Sequence, residues 1–224
     1  MNPFFIYYCE RSGLPGLFAE PLNFVSNLAF IIAAILIWRM LARTPVLSVR
    51  MHWDIFLLTA IIFIIGMGSA SWHSYPMAIT HLLDVIPILV FILGYIAIFM
   101  IRVVRLSWGG ALAVVILFIC LSFGAPQFLS TKPLGGSGAY VPALSAMVLT
   151  SLAMFMLKNP HTWKMCLACA LFSVSLSLRS VDITLCGVLP IGTHFIWHML
   201  NASVLFTLMR LLTDAASLEK KAER

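Results

Sequence analysis

The stretch 54-DIFLLTAIIFIIGMGSASWH-73 carries a charge at its first position and no further ionisable group until its last residue. As a helix rising about 1.5 Å per residue, a run of this length covers about 30 Å, the hydrocarbon thickness of a bilayer. Apolar residues follow one another without the alternation of a barrel strand. The stretch therefore predicts a membrane-spanning helix. It closes on small and polar groups, Ser69, Ser71 and His73.

Further runs of the same kind lie near 23–41, 84–102, 109–125, 139–157, 165–185 and 194–213, so the sequence predicts an all-α membrane protein, a bundle of seven transmembrane helices. Composition agrees. Of 224 residues 62% are hydrophobic and 10% charged, against roughly 25% charged in a soluble domain. The reading divides the chain into an outer N-terminal segment (1–22), the helical domain (23–213) and a charged cytoplasmic tail (214–224). A Gly/Pro-rich loop falls around 126–138. The N-terminus lacks the basic start and cleavage site of a signal peptide, which predicts that it stays on the protein.

The net charge of +6 reflects sidedness rather than nucleic-acid binding. Arg39, Arg43, Arg50, Arg102, Arg105, Lys158, Lys164, Arg210, Lys220, Lys221 and Arg224 fall on one side of the predicted bundle, Arg11 and Lys132 on the other, and Arg179 within a span. By the positive-inside rule the first face is cytoplasmic, the N-terminus outside and the C-terminus inside.

Ionisable groups inside a membrane are costly, so their placement is informative. Ser69 and His73 end the second span and His81 and Asp84 begin the third. Arg179 and Asp182 lie near the end of the sixth, and His194 and His198 open the seventh. With Glu10 and Glu20 they gather at one predicted depth, near the outer face. His194 and His198, four apart, project from one helical face. With His73 they offer the three ligands of a catalytic zinc site that keeps a position open for water. The alternative is three helix-end histidines bonded to water or backbone.

The Ser69–His73–Asp84 spacing with the late His194-Phe195-Ile196-Trp197-His198 resembles the alkaline ceramidase family. That family belongs to a superfamily of seven-helix membrane hydrolases that includes the progestin and adiponectin receptors. Tyr8-Cys9-Glu10 and the run Glu20, Asn23, Ser26-Asn27 look like the ceramidase branch. The resemblance implies zinc on His73, His194 and His198, with Ser69 and Asp84 flanking the water that attacks an amide. Zinc would activate that water and polarise the carbonyl. Asp84 would take a proton and deliver it to the leaving nitrogen, and Ser69 would hold the water or the oxyanion. Ser69 could instead be a helix-packing residue, Asp84 the N-cap of the third span, and His81 a water-exposed loop residue.

The resemblance also implies a calcium site near the N-terminus, for which Glu10 and Glu20 are the candidates, beside Tyr7, Tyr8 and Ser12. Calcium takes six to eight oxygens and two acids are few, so helix capping and tethering is the competing reading. Arg179 and Asp182, three apart, have three open readings. They form a buried ion pair, Asp182 orients a zinc-bound histidine through a hydrogen bond, or Arg179 meets a polar substrate headgroup. Cys9 and Cys186 share the outer side, where a disulfide persists, and a bridge would clamp the N-terminal segment over the site. Cys166 and Cys169 read as packing residues.

The expected function is hydrolysis of the N-acyl bond of a ceramide-like lipid amide to fatty acid and amine. The partners are lipid substrate and bilayer, with no nucleic acid and no obligate protein. A receptor-like protein with a structural zinc is the alternative, although the chain carries almost no cytoplasmic segment for partners. A transporter would continue its polar residues across the midplane, which this sequence does not. A short chain without an elaborated N-terminus points to the plasma membrane of a bacterium.

Overall fold

The computed structural model describes residues 8–11, 19–44, 47–128 and 137–222. Among these the regular structure is helical: α1 (Pro21–Ser26), α2 (Leu28–Ala42), α3 (Trp53–Ser74), α4 (Ala78–Arg102), α5 (Trp108–Phe128), α6 (Val141–Met156), α7 (Thr162–Leu185) and α8 (His194–Ala222). Six segments of the described residues are long and apolar enough to cross a membrane, with α1 and α2 counting as one, Pro21–Ala42. The described apolar stretch of α5, Trp108–Gly124, is shorter. The chain is thus a helical, multi-pass membrane bundle.

One boundary differs from the sequence reading. The third span begins at Ala78, not near 84, because the Thr80 hydroxyl accepts the Met77 N–H at 2.9 Å and closes the first turn. His81 and Asp84 are therefore inside α4 rather than in a loop and at an N-cap. Helix α8 runs on through the charged tail to Ala222, since Asp214–Ala222 is rich in good helix formers.

Helix α3 sits centrally, against α2 and α4, while α8 packs on α7 and α2, and the short α1 lies across α3 and α8. Ile37 and Leu41 from α2, Ile55, Leu58, Ile62 and Ile65 from α3, and Met209, Leu211 and Leu212 from α8 fill the core with their side chains fully buried. Large apolar side chains such as Ile32, Trp38, Leu149 and Phe155 face outward, a girdle suited to lipid rather than water.

The α3–α4 contact positions the site. Pro87 lies inside α4 and has no N–H to give the Leu83 carbonyl one turn back. Gly68 lies against that carbonyl, and a Cβ there would overlap it. The close approach brings Ser69 beside Asp84.

Candidate metal centre

His73 ends α3, and His194 and His198 occupy the first turns of α8. They are 1%, 2% and 3% exposed, and one ligand nitrogen from each lies within 4.8 Å of the others. Among the described residues this is the group of histidines, cysteines and acids able to hold a metal ion.

The outer ring nitrogens say how two of these imidazoles are set. Nδ1 of His73 lies 2.5 Å from Oε2 of Glu20. A carboxylate only accepts, so Nδ1 carries the proton and Nε2 keeps its lone pair. Nδ1 of His198 lies 2.7 Å from the Ser26 hydroxyl, which itself donates to the Asn23 carbonyl at 3.0 Å. Ser26 thus accepts from His198, again freeing Nε2. Metal-bound histidines characteristically donate their second N–H in this way, so the donor set fits a metal. His194 differs. Its Nδ1 lies 3.3 Å from Nη1 of Arg179, and a guanidinium only donates. In that contact a neutral His194 carries its proton on Nε2.

Ser69 lies beside the Asp84 carboxylate. Both line a cavity of about 180 Å³ together with His81, Arg179, His194 and His198. Away from them the walls are apolar, including Phe99, Met100, Met165 and Leu208. The α4 residues lining it run from His81 to Met100, about 28 Å along a helix axis.

Cys9 and Cys186 are joined in a disulfide, with Cα atoms 5.2 Å apart. Asp182, 3% exposed, secures the same corner. Its carboxylate accepts the backbone N–H of Cys9 at 3.1 Å, of Thr193 at 2.6 Å and of His194 at 3.0 Å. It caps the start of α8 and fixes the backbone, not the ring, of His194. Among the described residues no ion pair joins it to Arg179, so of the open readings of these two residues the structure rules out the buried pair. Gly192 completes the corner. Its φ of +64° favours glycine, and a Cβ there would overlap Asp182 and Cys9. Tyr8 is carried over the site by this anchor and stacks on His194 with ring centroids 3.9 Å apart. Burial raises its phenol above the ordinary value, so it remains neutral.

Glu10 and Glu20 are engaged separately. Glu10 accepts the backbone N–H of Leu22 at 2.5 Å and of Asn23 at 2.8 Å, capping α1, and partial burial raises its carboxyl above the usual range while these N–H groups oppose the shift. Glu20 is fully buried. It takes hydrogen bonds from His73, from Asn23 Nδ2 at 3.0 Å and from the Arg11 guanidinium. A cation accompanies Glu20 where a calcium site would need more oxygens. The capping and tethering reading describes this arrangement, and Tyr7 and Ser12 lie outside the described residues.

Sequence reasoning missed that Glu20 and Ser26 hold the histidine rings. The signal was present: Glu20, Asn23, Ser26 and Asn27 recur at spacings of three and four, one face of a helix. No model of a known protein family matches the chain, and no curated protein matches it.

Proposed function

We propose that this chain is a seven-helix membrane amidohydrolase resembling the alkaline ceramidases. It would bind zinc on His73, His194 and His198 and cleave the N-acyl bond of a lipid amide. The supporting observation is a group of three buried histidines, of which His194 and His198 line the polar end of an otherwise apolar cavity together with Ser69 and Asp84. Three imidazoles with room for a further ligand suit catalytic zinc. When bound, zinc supplies Lewis acidity and lowers the pKa of water toward about 7.

The residues of the chain do the rest. Glu20 and Ser26 hold two imidazoles in the ligating tautomer. Asp84, beside Ser69, takes a proton from the attacking water on its carboxylate and returns it to the leaving nitrogen. The Ser69 hydroxyl orients that water or bonds the developing oxyanion. The apolar walls receive the acyl chain, and methionines such as Met100 and Met165 adapt to its shape. The same apolar end offers an ion no polar path, which speaks against transport.

The reading places the N-terminus and site on the extracytoplasmic side of a plasma membrane, with the basic loops inside. The Cys9–Cys186 disulfide supports this, since such bonds persist in oxidising compartments.

The test is metal analysis of the detergent-solubilised protein beside a His194→Ala/His198→Ala variant, each then given a fluorescent N-acyl sphingosine. About one zinc per chain with release of fatty acid, both lost in the variant, is the expected result. Zinc without hydrolysis of any N-acyl lipid would overturn the enzyme reading in favour of a receptor-like protein. Absence of metal would overturn the site.

A further inference from the structure

We infer that the substrate carries an anion on the amine side of its amide, a carboxylate above all, and that Arg179 binds it. This rests on the amidohydrolase reading and narrows it from neutral ceramide-like lipids to N-acyl amino acids.

Arg179 projects from α7 into the cavity that the histidines line. A cation within a membrane span needs a counter-charge. Yet no ion pair joins it to an acid among the described residues. Asp182, one turn away, gives its carboxylate to backbone N–H groups, and Asp84, on the same cavity wall, acts on the guanidinium through space without pairing with it.

The guanidinium is nevertheless held in place. It lies 5.1 Å from the ring centroid of Trp197, 5.6 Å from Tyr140 and 6.0 Å from Tyr8. Its buried Nε has no partner. Its contact with His194 Nδ1 puts the proton of a neutral imidazole on Nε2, so that contact and ligation through Nε2 exclude each other. A loaded site therefore leaves the guanidinium without this acceptor. Its forked donors match a carboxylate bidentately.

A second donor repeats the demand. Trp72 lines the same cavity, is 1% exposed, and its buried Nε1 has no acceptor. Indole nitrogen only donates. The polar end of the cavity thus offers surplus donors to a head group rich in acceptors, while the apolar end takes the chain. A sphingoid head group brings hydroxyls but no negative charge. In the reaction, the C–N bond of an N-acyl amino acid breaks. The oxygen of water joins the acyl carbon, and a proton goes to the released amino acid nitrogen.

The experiment compares N-palmitoylglycine with its neutral analogue N-palmitoylethanolamine, in wild type, Arg179→Gln and Arg179→Lys. Metal content is measured for each protein. The wild type is expected to prefer the glycine conjugate, and the ratio of kcat/KM values to fall roughly tenfold or more in Arg179→Gln, as for loss of a charged hydrogen bond. Arg179→Lys should recover part of the ratio. An unchanged ratio would overturn the proposal, as would equal turnover of both amides by the wild type.

The released fatty acid also bears a carboxylate. If Arg179→Gln relieves inhibition by palmitate but leaves the ratio unchanged, the anion is the product's and the assignment to the amine side fails. If the wild type cleaves N-acyl sphingosine but neither of these amides, the anion proposal fails and the amidohydrolase reading stands; if it cleaves none of the three, the amidohydrolase reading fails by itself. Binding of tritiated N-palmitoylglycine then decides: weaker binding by Arg179→Gln retains the anion site, and equal binding removes it.

Discussion

The two ends of the bundle use the same kinds of charged residue for different purposes. At the end away from the histidines, Arg102 grips Asp54 through two bonds of 2.7 and 2.8 Å, tying the end of α4 to the start of α3. Lys164 bonds Asp214 at 2.6 Å, tying α7 to α8. These pairs join helix to helix and keep some contact with solvent: Asp214 is 33% exposed. At the histidine end two acids, Glu20 and Asp182, are dry. Glu20 gives its oxygens to a histidine ring and to Arg11, and Asp182 gives its own to three backbone N–H groups. Exposed pairs contribute at most about 1 kcal/mol, while a buried acid without its partners costs several. The costly charges are concentrated where rings and helix ends must be held in one geometry.

The largest effect expected is that of Glu20→Ala. It leaves Arg11 buried without its acid and His73 without an acceptor, for a loss of about 3–5 kcal/mol. Even the milder Glu20→Gln should weaken metal binding by roughly 10–100-fold in equilibrium dialysis. Unchanged metal affinity in Glu20→Gln would break the distinction between the two ends. Removing the disulfide by Cys9→Ser/Cys186→Ser should lower stability by about 2–5 kcal/mol, read as a drop in thermal midpoint in detergent. Gly68→Ala pushes a methyl into the Leu83 carbonyl and should cost about 1–3 kcal/mol. Because it parts Ser69 from Asp84, lipid-amide turnover should fall further than stability alone explains. The smallest effect belongs to the other end. Arg210→Gln, which removes the exposed partner of Asp214, should cost no more than about 1 kcal/mol and leave metal content unchanged; a loss of metal there would show that the ends are coupled.

Much of this contrast was legible from residue spacing. The apolar runs located the helices, and the histidine pair with His73 located the metal group, because a period and a membrane depth suffice for both. The extent of α4 was not legible by hydropathy. Thr80 and His81 lower the apolarity of its first turns, while the hydrogen bond from Met77 to Thr80 that starts the helix leaves no hydropathic trace. The partners of the rings escaped for another reason. A glutamate beside a predicted outer loop reads as a cap or a calcium ligand until the fold carries it onto a histidine distant in sequence. Gly68 and Gly192 are likewise intelligible only through the backbone that each approaches.

The Cys9–Cys186 bond turns most of the chain into a covalent loop, with α1 to α7 inside it and α8 outside. His73 belongs to the loop, and His194 and His198 belong to the one helix it does not enclose. That helix leaves the ribosome after α1 to α7. A metal shared by the three histidines would then act as a latch, fastening α8 to a ring that can already be closed when it arrives.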